Sequence, residues 1–406
     1  MDSLQTIGPG KPRSKMTALL EVFVVSAKLG LTSFGGPIAH LGYFHDEYIR
    51  RRKWLDERSY ADLVALCQFL PGPASSQVGI GIGVIRAGLI GGFVAWLGFT
   101  LPSVLALILF ALFVQGLGSG DTGWIHGLKL VAVAIVAHAI TGMGQKLAPD
   151  RSRATIAVLA AAAAVLWQTA LTQVAIIAIA GGIGVWLHRK ASIPDLPDLS
   201  VPISRKFSIA CLTFFIGLLL LLPILRESDA AGWLPLFDSF YRAGSLVFGG
   251  GHVVLPLLER EVVTAGWVNQ EDFLSGYGAA QAVPGPLFTF AAYLGMVSNG
   301  IPGAFLATAA IFLPAFLLII GALPFWSSLR KSRRIQGALT GINAAVVGLL
   351  LAALYNPLWT SAILSPADFA LASILFLLLV FWKLPPWIVV LAGAAGGIAI
   401  RFFAEL

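Results

Sequence analysis

The sequence has little charge. Of its 406 residues only 12% are Asp, Glu, Lys or Arg, which is roughly half of what soluble globular domains carry. Hydrophobic residues make up 57%, and the mean hydropathy is +0.85, which excludes a soluble enzyme or binding domain. Apolar runs such as 207–224, 335–354 and 369–382 suit membrane helices of about 20 residues, unlike the short alternating strands of outer-membrane barrels. We therefore predict an all-α polytopic membrane protein.

Cysteines and enzyme signatures are also scarce. The two cysteines, Cys67 and Cys211, lie in apolar surroundings without a CxxC pair, which argues against a disulfide scaffold or a thiolate metal site. The sequence has no Walker A, HExxH or GxSxG motif, so we predict no enzyme activity, no metal and no cofactor. The net charge of +7 comes largely from short loops, where basic residues orient helices in a membrane instead of binding nucleic acid.

Two motifs occur twice along the chain. Phe34-Gly35-Gly36-Pro37 recurs as Phe248-Gly249-Gly250-Gly251 at an offset of 214 residues, and Pro71-Gly72-Pro73 recurs as Pro284-Gly285-Pro286 at an offset of 213. Charged residues recur in the same register as the first motif: Lys28 with Arg242, and Glu47 with Glu261. This register over a hundred residues indicates a gene duplication.

The charges of the loops indicate how the two copies are oriented. Segment 50–58 is basic and its counterpart 259–272 is acidic, whereas segment 116–127 has no Lys or Arg and its counterpart 327–337 is basic. Basic loops stay in the cytoplasm, so we predict inverted repeats, the plan of many secondary transporters. Arg51 and Lys331 should then be cytoplasmic, with Asp121 and Glu271 outside, in an inner membrane protein whose N-terminus is cytoplasmic.

These patterns divide the chain into five parts. We predict a cytoplasmic tail at 1–16, a first transporter repeat at 17–188, a basic cytoplasmic linker at 189–206, a connecting transmembrane helix at 207–235 and a second, inverted repeat at 236–406. Glycine and proline interrupt the helices at both motifs of each repeat. The interruptions predict broken or re-entrant helix hairpins, with legs near 17–33 and 38–49, then 61–70 and 74–85.

Each break exposes the N-terminus of a helical segment, where free N–H groups and the positive dipole end favour anions. Four such ends converging near the membrane midplane would form an anion site built from backbone. The alternative is that Gly and Pro only permit kinks and close helix packing.

Charged and polar side chains near the motifs are the other candidates. Lys28 and Arg242 are membrane cations, which suits contact with an anion; a salt bridge, with Glu21 for Lys28, or snorkelling is the alternative. Glu47 and Glu261 favour structural ion pairs over proton carriage. The predicted substrate site comprises Lys28, Ser33, Phe34, Gly35, Gly36, Pro37, His40, Gln68, Pro71, Gly72, Pro73 and Ser75 in the first half, and Arg242, Phe248, Gly249, Gly250, Gly251, His252, Gln281, Pro284, Gly285, Pro286 and Thr289 in the second.

The paired motifs, a glutamine three residues before each PGP, and the tandem halves resemble the long two-domain type of the chromate transporter family, over about residues 17–403. The resemblance implies an ion-gradient-driven carrier that exports chromate from the cytoplasm and confers resistance. It also implies a role in transport for the first-half motifs, Phe34–Pro37 and Pro71–Pro73. The second copy departs from the pattern at Gly251, where the first has Pro37.

Three functional hypotheses stay open at this point. The first is the chromate exporter, whose partners are a small inorganic oxyanion and the lipid bilayer. Because chromate and sulfate are isosteric dianions, the second is a sulfate uptake carrier or anion channel with the same site. The third is an accessory membrane subunit without transport. The sequence permits a homodimer.

Overall fold

A computed structural model describes residues 14–34, 36–116, 123–167, 170–187, 203–227, 232–248, 253–326 and 332–404, and these residues form helices and connecting turns without a β-strand. The helices are α1 (Lys15–Thr32), α2 (Gly36–Phe44, continued by a π-helical segment at His45–Arg51), α3 (Glu57–Phe69), α4 (Ala74–Gly116), α5 (Gly123–Leu147), α6 (Arg151–Leu166), α7 (Ala170–Leu187), α8 (Arg205–Glu227), α9 (Leu234–Leu246), α10 (Val254–Val262), α11 (Gln270–Ala280), α12 (Phe290–Ala322), α13 (Arg333–Ala353, continued by a π-helical segment at Leu354–Trp359), α14 (Pro366–Val380) and α15 (Pro386–Ala404).

Side-chain caps define where several of these helices begin. The Ser14 hydroxyl accepts a hydrogen bond from the Thr17 amide at the start of α1, and the Asp150 carboxylate accepts one from the Arg153 amide at the start of α6. At α14 the Ser365 hydroxyl and the Asp368 carboxylate form a reciprocal capping box. Each cap satisfies backbone donors that the first helical turn leaves free.

Five helical segments among the described residues are long and apolar enough to cross a membrane: 74–115, 123–147, 205–226, 287–325 and 333–362. This confirms the predicted all-α polytopic membrane class. The predicted legs around FGGP and PGP correspond to α1, α2, α3 and the start of α4. The predicted tail lies outside the described residues up to residue 13, as do most of the linker (188–202), Asp121 and Lys331.

Two of the long segments are sharply bent at equivalent places. In α4 the backbone leaves helical geometry at Ala87 (φ −139°, ψ 18°) and Gly88 (φ 74°, ψ −167°). In α12 it does so at Asn299 (φ −136°, ψ 20°) and Gly300 (φ 65°, ψ −159°). The two breaks have nearly the same dihedral angles, and each places a glycine in the left-handed region that it tolerates best. The two halves therefore share a local backbone conformation as well as a motif.

Glycines on both sides of each break bring the two helical arms into contact. A Cβ atom added to Gly83 would overlap the carbonyl oxygen of Gly91, and a Cβ atom added to Gly295 would overlap that of Gly303. Such contact is possible only where neither helix carries a side chain, as in small-residue packing of membrane helices. Both segments are therefore tight helical hairpins folded at Gly88 and Gly300.

The helix before each FGG motif packs against the second arm of the hairpin that follows. A Cβ atom at Gly30 of α1 would lie 2.6 Å from the Phe99 carbonyl oxygen of α4, and one at Gly244 of α9 would overlap the Ile311 carbonyl oxygen of α12. Helix α4 also packs directly against α12. The two folded hairpins thus form the centre of the molecule, with the motifs of both halves around them.

Candidate functional site

The two PGP motifs each bond to the other half of the chain. The Gly72 amide donates to the Val247 carbonyl at 2.7 Å, and the Gly285 amide donates to the Ser33 carbonyl at 2.9 Å. Val247 and Ser33 are the residues before Phe248 and Phe34, so each PGP contacts the FGG motif of the opposite half. Reciprocal contacts of this kind are what two-fold related units make.

Both of these glycines have positive φ angles, +110° at Gly72 and +102° at Gly285, in agreement with the predicted interruption of the helices. Their amides are not free, however. The Gly72 and Gly285 amides are thus not available to an anion, because each is bonded across the junction between the halves. The predicted anion donors, the first amides of the helical segment after each break, are a separate set. Gly36 also has a positive φ, of +77°, and begins α2.

Free donors are instead found one turn later, at the start of α4. The first helical bond of this segment joins the Gln77 amide to the Pro73 carbonyl at 2.9 Å, so the amides of Ala74, Ser75 and Ser76 precede the regular bonding pattern. Ser75 and Ser76 are both buried, and the Ser76 hydroxyl has no hydrogen-bond partner among the described residues. The positive end of the α4 dipole points at the same place.

The His40 side chain joins this first turn. Its Nδ1 atom and the Ser75 hydroxyl share a hydrogen bond of 3.3 Å, and its ring lies beside the Ser33 backbone. The side chain is almost fully buried. Within the described residues, its Nε2 atom and the Ser33 hydroxyl have no hydrogen-bond partner. We define His40, Ser33, Ser75 and Ser76 as the first-half polar cluster. Its buried polar atoms without a partner could bond a ligand.

The second half does not repeat this cluster. The positions of His40, Ser75 and Ser76 are occupied by Val254, Phe288 and Thr289. The Thr289 hydroxyl donates to the Pro286 carbonyl at 2.7 Å, so it closes its own turn. Among the residues that the structure describes, the buried polar donors of the candidate site are therefore concentrated on the first half, although the backbone motifs occur in both.

Lys28 and Arg242 form equivalent ion pairs. The Lys28 Nζ atom lies 3.0 Å from the Glu47 carboxylate, and an Arg242 guanidinium nitrogen lies 2.8 Å from the Glu261 carboxylate. The suggested partner Glu21 was wrong, because Glu21 bonds Arg52 and Arg86 at 3.1 Å each. In the structure both cations are therefore in salt bridges, which was the alternative to contact with an anion.

Further charges surround each pair. Glu47 also bonds Arg52 at 3.0 Å and Arg51 at 3.4 Å, in agreement with the structural ion pair predicted for this carboxylate. Arg242 also bonds the fully buried Asp238, which holds Arg226 at 3.0 Å as well. An anion that contacts Lys28 would therefore compete with a carboxylate already in place.

The model of the family described as "Chromate transporter" matches this chain twice, over residues 20–185 and 234–398. The chain belongs to the chromate transporter family. The two matched segments each contain one FGG and one PGP motif, in agreement with the duplication in the sequence.

Three curated relatives are similar along most of their length. The chromate transport protein of Pseudomonas aeruginosa is 28% identical over 339 residues, which are 81% of this chain and 79% of the relative. The probable chromate transport protein of Synechococcus elongatus is 29% identical over 406 residues, 97% of this chain and 98% of the relative. The chromate transport protein of Cupriavidus metallidurans is 28% identical over 385 residues, 93% of this chain and 92% of the relative.

The remaining predicted site residues of this chromate transporter family member differ in how deeply they are buried. Phe34, Pro37, Pro71, Phe248 and Pro284 are half-buried at the junction, while Pro73 and Pro286 are buried. Gln68 is exposed on α3, whereas its counterpart Gln281 is half-buried and its Nε2 atom has no hydrogen-bond partner among the described residues. Gly35, Gly249, Gly250, Gly251 and His252 lie outside the described residues.

Two residues at the junction were missed from the sequence. The Ser103 hydroxyl donates to the Pro284 carbonyl at 2.5 Å, and the Gln77 side-chain amide donates to the Pro71 carbonyl at 2.9 Å. Both are neutral donors that hold a PGP turn, and the Gln77 Oε1 atom is buried and unbonded. Ser103 follows the repeated Leu-Pro pair at 101–102, a signal that could have identified it. Within the described chain, no three His, Cys, Asp or Glu side chains converge as a metal site requires.

Proposed function

We propose that this protein is a secondary active transporter that exports chromate across the cytoplasmic membrane and so confers chromate resistance. The observation that carries the proposal is the first-half polar cluster at the N-terminus of α4. Among the described residues, its Ser33 and Ser76 hydroxyls and the His40 Nε2 atom are buried without a hydrogen-bond partner, beside the first amides of the helix. The curated relatives from three organisms carry chromate transport in their names, which supports the choice of oxyanion.

The chemistry of the cluster suits a tetrahedral oxyanion. Neutral N–H and O–H donors together with a helix dipole stabilise negative charge without fixing a permanent counter-charge in the membrane. A site that holds the dianion with neutral donors also releases it more readily than one built from several cations, which a carrier requires. The sequence has no ATP-binding motif, so an ion gradient is the energy source that we propose.

We further propose that the two halves are inverted in the membrane, with the N-terminus in the cytoplasm. The reciprocal bonds of Gly72 and Gly285 support a two-fold relation between the halves. The opposite charges of segments 50–58 and 259–272 support an axis in the membrane plane. In such carriers alternating access is largely a rocking of one half against the other around a fixed site.

The direct test is uptake of radiolabelled chromate into everted vesicles, with and without an imposed ion gradient. Export by the cell corresponds to uptake here, and we expect gradient-dependent accumulation. Ser76→Ala combined with His40→Ala should lower the initial rate at least tenfold at unchanged protein level. The matched control is Ser373→Ala, whose exposed hydroxyl bonds only its own helix, to the Phe369 carbonyl. Full activity of the double variant would refute this site.

Sulfate is the competing substrate because neutral donors recognise the shape and charge that both dianions share. An excess of unlabelled sulfate in the same vesicles distinguishes the two. Clearly weaker inhibition by sulfate than by the same excess of unlabelled chromate would identify chromate as the substrate, whereas equal or stronger inhibition by sulfate would identify a sulfate carrier. Equal flux with and without a gradient, saturating at equilibrium, would instead indicate an anion channel.

A further inference from the structure

A cavity of about 100 Å³ lies between α6 of the first half and α10 and α13 of the second half. Polar groups from two directions line it: Glu259, Arg260 and Thr264 from α10 and the turn that follows, and Asn356 from the π-helical segment after α13. A cavity of this size and polarity has room for a few water molecules. The residues of the candidate oxyanion site are not part of its lining.

The helical backbone is interrupted at one of the cavity residues, Asn356. Asn356 has non-helical dihedral angles (φ −135°, ψ 116°) within an apolar stretch, 333–362, that is long enough to cross a membrane. Irregular backbone at membrane depth is tolerated where it lines a watery cavity or is covered by protein, because its polar groups need partners. The polar cavity can supply hydrogen-bond partners for the backbone groups at the helix break, so we regard the break and the cavity as one structural feature.

Glu259 is the carboxylate of this cavity. Among the described residues no hydrogen bond or ion pair holds its carboxylate, in contrast to Glu261, which is bound by Arg242. The cavity residues from α6 (Ala164, Val165) and α13 (Leu349, Ala352, Ala353) carry no titratable group. Arg260 is the charged neighbour within the cavity, and on α9 the charged groups, Asp238 and Arg242, are engaged with Arg226 and Glu261.

The corresponding positions of the first half are built differently. His45 and Asp46 stand where the second half has Glu259 and Arg260. They pair with the exposed residues Glu57 and Arg50 at the surface. An isolated carboxyl group beside a polar cavity is thus a property of the second half and not of the repeated motif.

We propose that Glu259 and this cavity form a proton-binding site, through which proton movement is coupled to oxyanion transport. The proposal rests on the proposed transport function and names its coupling ion. Burial raises the pKa of Glu259 to about 7, against the opposing effect of the Arg260 charge. The carboxyl group therefore gains and loses its proton within the range where a pH gradient across the membrane acts.

Transport assays in everted vesicles distinguish an effect on the proton site from an effect on the substrate site. For Glu259→Gln we expect chromate exchange at equal pH on both sides to stay within about twofold of the wild type. Chromate accumulation driven by an acidic vesicle interior should fall at least tenfold. Glu259→Asp keeps a titratable group and should recover part of it. The matched control is Asp46→Asn, an exposed carboxylate on the equivalent helix of the first half, which should behave as wild type.

A second measurement does not depend on transport. Because the native pKa of Glu259 exceeds that of a free carboxyl group, the folded protein binds more protons than the unfolded chain between about pH 4.5 and 7. The Tm of the purified protein should therefore fall as pH rises through this range, and Glu259→Gln should flatten that profile.

The outcomes are distinguishable. Absence of chromate transport by the wild type would overturn the proposed function and, with it, this coupling. Wild-type chromate exchange together with unchanged pH-driven accumulation and an unchanged Tm profile in Glu259→Gln would overturn the proton site alone. Loss of both exchange and folded protein in Glu259→Gln, with the same loss in Glu259→Asp, would assign Glu259 a structural role and also overturn it.

Discussion

Lys28 and Glu47 form an ion pair of 3.0 Å between α1 and the π-helical segment that follows α2, and the two ends of the pair differ in exposure. The Lys28 side chain is 51% exposed, whereas that of Glu47 is 7% exposed and is also held by Arg52. The cation is therefore the member that solvent reaches, and the carboxylate is the buried one. The equivalent pair of Arg242 and Glu261 has the same spacing in sequence.

Lys28 is the predicted cationic contact for the oxyanion, in addition to the neutral donors of the first-half polar cluster, so we expect Lys28→Gln to lower chromate transport at least tenfold. The protein should stay folded, because Glu47 keeps its bonds to Arg51 and Arg52. Lys28→Arg should keep part of the rate, since it keeps the charge with another geometry. The double change Lys28→Gln with Glu47→Gln serves as the control. Recovery of transport in the double variant would show that the pair has only a structural role.

Arg242→Gln should destabilise the protein more than Lys28→Gln. It removes one of two cations from Asp238, whose side chain is fully buried, and uncompensated buried charge costs about 3–5 kcal/mol. Arg226 still bonds Asp238, so we expect about half of that loss. Thermal unfolding in detergent measures the difference, and equal Tm values for both variants would contradict it.

The glycines of the motifs should respond differently to alanine. A Cβ atom at Gly36 meets no atom within 4 Å, so Gly36→Ala carries only the cost of a positive φ, about 1–2 kcal/mol. A Cβ atom at Gly285 would overlap the Ser103 hydroxyl. Gly285→Ala should therefore lower the yield of folded protein, and adding Ser103→Ala should restore part of it. The loss of transport in folded Gly36→Ala then tests whether backbone near α2 contacts the oxyanion.

The folded hairpins predict a contrast in stability. Gly83→Ala should destabilise the protein by several kcal/mol or abolish folding, because the new methyl group overlaps the rigid backbone of Gly91. Gly142→Ala is the control, since nothing lies within 4 Å of its Cβ and alanine favours a helix by about 1 kcal/mol. The Tm values of the purified variants test this contrast. An unchanged Tm in Gly83→Ala would contradict the close contact between Gly83 and Gly91.

The inverted topology is tested by labelling single cysteines. Arg51→Cys should react with a membrane-impermeant thiol reagent from the cytoplasmic side and Glu271→Cys from the opposite side, since both native side chains are largely exposed. The native Cys67 and Cys211 are buried and should stay unlabelled. Reaction of both introduced cysteines from one side would refute the inversion.

Much of the fold could be predicted from the sequence because helices and their breaks are encoded locally. Apolar runs and the Gly-Pro motifs indicated α1, α2, α3, the start of α4 and α8, and the breaks at Gly36 and Gly72, in the places where the structure has them. The ion pair of Lys28 and Glu47 also left a signal that went unused, since both members recur at the same offset.

The contacts between the halves could not be predicted in this way. The bonds from Gly72 to Val247, from Gly285 to Ser33 and from Ser103 to Pro284 join residues that no helical or motif spacing relates. They depend on how the hairpins pack, which is decided by tertiary contacts. For the same reason the sequence did not indicate that the Gly72 and Gly285 amides are occupied, or that Gln68 is exposed.

The crossed glycine bonds have a consequence for how such a protein is assembled. Each half supplies the acceptor for the other's PGP amide, so a half made alone would carry an unpaired amide and carbonyl into hydrocarbon. A chain cut within 188–202 should therefore form a transporter only when both fragments are synthesised together. Fusion into one polypeptide secures equal amounts of the two, so that neither fragment is left over for proteolysis.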